Sequence, residues 1–82
     1  MTPQALRSAL LEDLIHIAPD IDPATVADSD HLQNDLALDS LDFLRLVTAI
    51  HTRLGVDVPE ADYGFLATLG SAVPYLQAKL KS

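Results

Sequence analysis

The 82-residue sequence predicts an all-α chain of four helices, the third short, with a long loop between the first and second. Three observations carry this. Apolar residues recur at helical spacing in two long stretches, helix-start and helix-stop residues bracket those stretches, and an aperiodic segment of about twenty residues separates them.

Thr2-Pro3 starts the first helix: a hydroxyl cap, then a ring whose φ is preset for the first helical position. Leu6, Leu10, Leu14 and Ile17 fall on one stripe, widened by Leu11 and Ile15, while Arg7, Glu12 and Asp13 are assigned to the polar remainder. The helix runs from 3 to 17, because Pro19 disfavours helix at Ala18. Residues 19–38 carry turn chemistry in Pro19, Pro23, Ser29, Asn34 and the aspartates. Ile21, Val26, Leu32, Leu36 and Leu38 are placed to pin this loop to the core, with a helical turn near Ala24–Ala27. Loops of this length are uncommon and tend to be functional.

Asp39 caps the second helix, and Asp42 favours its positive end. Phe43, Leu46, Val47, Ile50 and Leu54 form its stripe, Leu41 and Leu44 widen it, and Gly55 is the left-handed stop. Val56, Val58 and Pro59 make an extended link. Glu60 to Ala67 holds a short third helix, which Gly64 weakens by about 1 kcal/mol relative to Ala. The last helix is expected from Ser71, because Pro74 is then kept in a first turn that needs no N–H bond. It turns Val73, Leu76 and Leu80 inward, and Lys79 and Lys81 complement its negative end.

Composition narrows the function classes. The length suits one domain over 1–82, and the 49% apolar content argues against disorder. Without cysteine there is no disulfide, thiolate metal site or cysteine nucleophile. A net charge of −7 disfavours nucleic acid and anionic membrane and suits a basic protein partner. No apolar run reaches the roughly 18 residues of a membrane span, and no secretory signal is read, so a cytoplasmic setting is expected; the chain is also expected to be a monomer. Met1 close to the first helix favours a free-standing protein.

Asp39-Ser40-Leu41 is the feature that can carry chemistry. Ser40 opens a helix, next to unpaired N–H groups and the positive end of the dipole, where a phosphate is stabilised. No histidine is predictably placed as its base, so it suits bearing a phosphodiester better than acting as a nucleophile. Taken alone, the tripeptide reads as an ordinary cap.

The wider context adds to it. Asp35-Leu36-Ala37-Leu38-Asp39-Ser40-Leu41-Asp42, then Gly55-Val56-Asp57-Val58-Pro59, then Thr68-Leu69-Gly70-Ser71-Ala72-Val73, together resemble the acyl carrier protein family across residues 6–80. The resemblance implies a four-helix bundle in which Ser40, flanked by Asp39 and Leu41, is esterified with phosphopantetheine from coenzyme A by a separate phosphopantetheinyl transferase. The terminal thiol then carries an acyl group as thioester to acyl-transferring or acyl-elongating enzymes, and the chain itself is not an enzyme. In the family the acyl chain also folds back between the second and third helices, where Phe43, Val47, Ile50, Val58, Tyr63 and Leu66 stand here.

Two departures matter. Ala37 and Leu38 replace the glycine usual shortly before the serine. The second helix carries Arg45, His51, Thr52 and Arg53 where family members that serve fatty-acid synthesis are often acidic, so Asp39 and Asp42 against Arg45 and Arg53 leave no net charge. A specialised carrier with a dedicated pathway is expected. Acidity collects elsewhere, with seven aspartates and no Lys or Arg in residues 19–42, and Asp57, Glu60 and Asp62 beyond. Partner docking is expected at Asp35, Asp39, Asp42, Glu60 and Asp62, with Arg45 beside them.

The alternatives are an aminoacyl or peptidyl carrier, against which Leu38-Asp39 argues, and a small acidic interaction module without a prosthetic group. Calcium loops beginning at Asp20 or Asp28 fail, with Thr25 or Gln33 where glycine is required. His16, His31 and His51 share no ligand spacing, so no metal is expected.

Overall fold

The computed structural model describes residues 1–81, the last without its side chain. Its elements are α1 (Pro3–Ile17), a 3₁₀ turn (Pro23–Thr25), α2 (Ser40–Leu54), a 3₁₀ helix (Glu60–Leu66) and α3 (Leu69–Lys81). The described residues form an all-helical bundle without strands. None of these helices is long and apolar enough to cross a membrane. α1 packs on both α2 and α3, and the 3₁₀ helix packs on α3.

The bounds of α1 and α2 follow from their caps. Thr2 Oγ1 accepts a hydrogen bond from the Ala5 N–H at 3.1 Å, and Pro3 takes the first helical position. Asp39 Oδ1 accepts from the Asp42 N–H at 2.7 Å. Gly55, with φ 70°, ends α2 as its N–H donates to the His51 carbonyl. Leu6, Leu10 and Leu14 of α1 meet Phe43, Leu46 and Ile50 of α2 in one core with Leu66, Leu69 and Leu76.

Asp13 departs from its polar assignment, being only 9% exposed. At about 100° per residue it lies between Ala9 and Leu6 on the buried face of α1, where a carboxylate needs a partner. Arg53 of α2 supplies one, donating to Asp13 Oδ1 at 3.1 Å and pairing with Glu12 at 3.2 Å. The Asp13 hydrogen bond, with its charge, raises the Arg53 guanidinium above the usual arginine range. Asp13 Oδ2 is buried with no hydrogen-bond partner. The same geometry corrects Leu41 and Leu44, which are 59% and 46% exposed. Leu41 falls nearly opposite the α2 stripe and Leu44 about a quarter-turn to its side.

The long loop is ordered by its anchors. Val26, Leu32 and Leu38 are buried, with Ile21 and Leu36 partly so. Arg7 donates to Asp28 Oδ1 at 2.6 Å and to the Val26 carbonyl at 2.8 Å. On the far side, Gly70 N–H donates to the Asp28 carbonyl at 2.9 Å. A Cβ at Gly70 would stand 3.1 Å from that oxygen, so glycine permits the close approach. Leu32 N–H donates to the Ala67 carbonyl at 2.8 Å, tying the loop to the end of the 3₁₀ helix.

α3 starts two residues earlier than Pro74 suggests. Thr68 is its cap, Oγ1 accepting from the Ser71 N–H at 3.2 Å, so Ser71 lies inside the helix. The earlier start buries Leu69 and Ala72 in line with Leu76, whereas Val73 and Leu80 are only partly buried. Pro74 consequently sits within the helix. The bond it forgoes would reach the carbonyl of Gly70, an exposed residue whose oxygen water can serve. Lys79 lies 5.6 Å from the Tyr75 ring centre. The role read for the Lys81 side chain falls outside the described residues.

Tyr75 also fastens the 3₁₀ helix to α3. It stacks on Phe65 with ring centres 5.0 Å apart, and its hydroxyl donates to Asp62 Oδ2 at 2.7 Å. Burial, followed by the Asp62 hydrogen bond and charge, pushes the Tyr75 phenol up to about 12. Because the folded value lies above the unfolded one, near 10, this contribution is complete below pH ~10 and is lost as pH rises toward ~12. An ultraviolet titration is expected to show a late phenol absent from Tyr75→Phe.

Candidate functional site

Ser40 is the first residue of α2 and is exposed. Its position follows from the turn before it. Leu36 and Leu38 are held on the core, and Leu38 N–H donates to the Leu32 carbonyl at 3.2 Å. Between them Ala37 takes φ 59°, the left-handed conformation glycine adopts without cost. This turn sends Leu38 inward and Asp39-Ser40 outward. Relieving it with Ala37→Gly is expected to raise the unfolding free energy by about 0.5–1 kcal/mol in urea denaturation, net of the greater freedom of the unfolded glycine.

With Asp39 engaged as the cap, the N–H groups of the first turn surround Ser40 at the positive end of the α2 dipole. An anion on Ser40 would gain about 0.3–1 kcal/mol there. A groove of about 380 Å³ opens beside the serine, lined by His31, Gln33, Ser40, Phe43, Leu44, Tyr63, Gly64 and Ala67. Phe43 and Tyr63, both in its lining, meet edge to face with ring centres 5.5 Å apart. The other residues named for an acyl pocket do not line it. Val47 is half-buried, and Ile50, Val58 and Leu66 belong to the packed core. Leu41 projects to solvent next to Ser40.

The acids divide by what they already hold. Asp35 Oδ2 accepts from the His31 N–H at 2.7 Å, and Asp62 accepts from Tyr75. Asp42 pairs with Arg45 at 3.5 Å, the arginine side chain being 60% exposed. Glu60 is exposed in the first turn of the 3₁₀ helix. Arg53, counted with Arg45 in the charge sum, faces α1 instead.

Sequence reasoning did not name His31, Gln33, Leu44, Gly64 or Ala67 for the groove, and of these His31 carries the titratable side chain. It lies nine positions before Ser40 in an aperiodic loop, so no spacing rule links them. Only the anchoring of Leu32 and Leu38 brings it to the same groove.

An exposed hydroxyl, a helix N-terminus and an adjoining apolar-floored groove fit a phosphate-linked arm on Ser40. Comparison with known proteins agrees with that chemistry. The family model for the phosphopantetheine attachment site matches residues 6–76. An acyl carrier protein of Lactobacillus johnsonii is 34% identical over 68 residues, 83% of this chain and 85% of its own length. One of Prochlorococcus marinus is 34% identical over 59 residues, covering 72% of this chain and 74% of that protein. A mitochondrial acyl carrier protein of Neurospora crassa is 34% identical over 55 residues, 67% of this chain, which spans only 41% of that longer protein.

Proposed function

Since this chain belongs to the acyl carrier protein family and so carries acyl groups on covalently attached phosphopantetheine, we propose that Ser40 is the point of attachment. The observation that carries this is Ser40's place as the exposed first residue of a helix capped by Asp39, at the mouth of a groove. When bound, the group supplies a thiol that holds the acyl cargo as a thioester. The chain's own residues do the rest. The first turn of α2 stabilises the phosphate charge, Asp39 keeps that turn formed, and Phe43 and Tyr63 give the arm an apolar wall.

The proposed carrier performs no bond chemistry and works in the cytoplasm as a monomer forming one domain over residues 1–82. A phosphopantetheinyl transferase would load it, and acyl-transferring or acyl-elongating enzymes would meet it transiently, steered by charge. Asp35, Asp39, Asp42, Glu60 and Asp62 form the proposed rim for basic partners, with Arg45 setting a different pattern at its edge. Delivery on a tether raises the local concentration of cargo without new contacts.

A dedicated pathway is proposed over general fatty-acid synthesis because α2 has no acidic residue after Asp42. Malonyl transfer by a general malonyl transferase is expected to be slow relative to an acidic-helix carrier; equal rates would refute the dedicated role. Incubation with coenzyme A and a permissive transferase is expected to add one phosphopantetheine to the intact mass. No gain, where a control carrier is modified, would refute attachment.

A further inference from the structure

His31 is fixed through both its backbone and its ring. Its backbone N–H donates to Asp35 Oδ2, and its carbonyl accepts from the Asp35 N–H at 2.7 Å and the Leu36 N–H at 3.3 Å. Its Nδ1 accepts from the Asn34 N–H at 3.2 Å. A ring nitrogen that accepts carries no hydrogen, so the neutral imidazole is protonated at Nε2. No group among the described residues accepts from that Nε2–H, and the ring lines the groove it shares with Ser40.

We propose that His31 is a positioning residue whose Nε2–H donates a hydrogen bond to the phosphodiester on Ser40. This rests on attachment at Ser40. The phosphate would then lie between two donors of different origin, the first-turn N–H groups of α2 and a side chain from the loop. A phosphate fixed on both sides directs the arm along the groove toward Phe43 and Tyr63 instead of leaving it to swing from the helix end. Asn34 and Asp35 act through His31 by fixing its tautomer and backbone. The titratable groups on its side are Asp35, which accepts from its backbone N–H, and Tyr63, which lines the same groove; from α2, Asp39 and Asp42 stand at the helix start beside Ser40.

The test uses the full chain loaded with phosphopantetheine and follows its ³¹P resonance between about pH 5 and 8, where imidazole is the side chain that ordinarily changes charge. The expected result is a sigmoidal shift whose midpoint equals that of the His31 ring protons. It should persist in His51→Asn and be lost in His31→Asn. The asparagine oxygen can still accept from the Asn34 N–H, so His31→Asn keeps the loop contact while removing the Nε2 donor. His31→Gln, which restores a donor at greater reach, is expected to keep the pantetheine protons nearest the phosphate as ordered as in the parent, by heteronuclear relaxation, whereas His31→Asn frees them. A flat ³¹P profile in the loaded parent, or an unchanged slope in His31→Asn, overturns the proposal while leaving attachment intact. Loss of the mass gain itself overturns both.

Discussion

Leu32→Ala is expected to lower the unfolding free energy by about 3 kcal/mol, within the ~2–5 kcal/mol range for truncating a buried leucine. Leu32 is 1% exposed, and its N–H bonds the Ala67 carbonyl, so it joins the long loop to the 3₁₀ helix through side chain and backbone together. A domain of this length has a total stability of only about 4–12 kcal/mol, at ~0.05–0.15 kcal/mol per residue. The substitution therefore removes a large share of it, and the midpoint of urea unfolding should fall accordingly. Half-buried Leu36→Ala should cost less than half as much. Because Leu32 lies between His31 and Gln33, both on the groove, the Leu32 amide should also exchange faster with solvent. A loss below about 1 kcal/mol, the middle of the range for ordinary substitutions, would mean that the loop is not anchored as described.

Ser40→Ala is expected to abolish loading by phosphopantetheine completely while leaving the fold intact. The two effects separate because the cap of α2 is Asp39, and Ser40 is an exposed first-turn residue. Replacing an exposed side chain of this kind usually changes stability by no more than about 0.5 kcal/mol. Asp39→Ala supplies the contrast, costing about 1 kcal/mol through the lost bond to the Asp42 N–H. Intact mass and urea unfolding on the two variants distinguish a lost attachment point from a damaged helix. If Ser40→Ala still gained one phosphopantetheine, the serine would not be the anchor.

The parts of the bundle legible in the sequence are those governed by local rules. Thr2-Pro3, Asp39 and Gly55 set the ends of α1 and α2 through caps that involve neighbours along the chain, and the structure places them there. The loop anchors were legible because apolar residues in an otherwise polar segment have nowhere else to go. The helical turn expected at Ala24–Ala27 is present as the 3₁₀ turn Pro23–Thr25. The short helix came out as 3₁₀.

Where competing terms had to be weighed, local rules were insufficient. The Pro74 penalty suggested a start at Ser71, but burial of Leu69 and the Thr68 cap outweigh it. Polarity alone assigns Asp13 to the solvent side, but its helical angle places it on the core face, and the reach of Arg53 makes that position tolerable. Of the site, Ser40 and Asp39 were legible as a helix start. His31 was not, because a loop fold carries it to the groove. Ala37 departs from a glycine pattern in the sequence, and it adopts the left-handed turn nonetheless.

Attachment depends on one atom, the Ser40 hydroxyl, and fragmentation mass spectrometry locates the modified residue. After loading from coenzyme A, the protein would be digested and the peptide bearing phosphopantetheine sequenced. The group is expected on Ser40 alone. Finding it on Ser8 or Ser29, or on Ser71, whose hydroxyl already bonds the Phe65 carbonyl at 2.7 Å, would rule out attachment at Ser40.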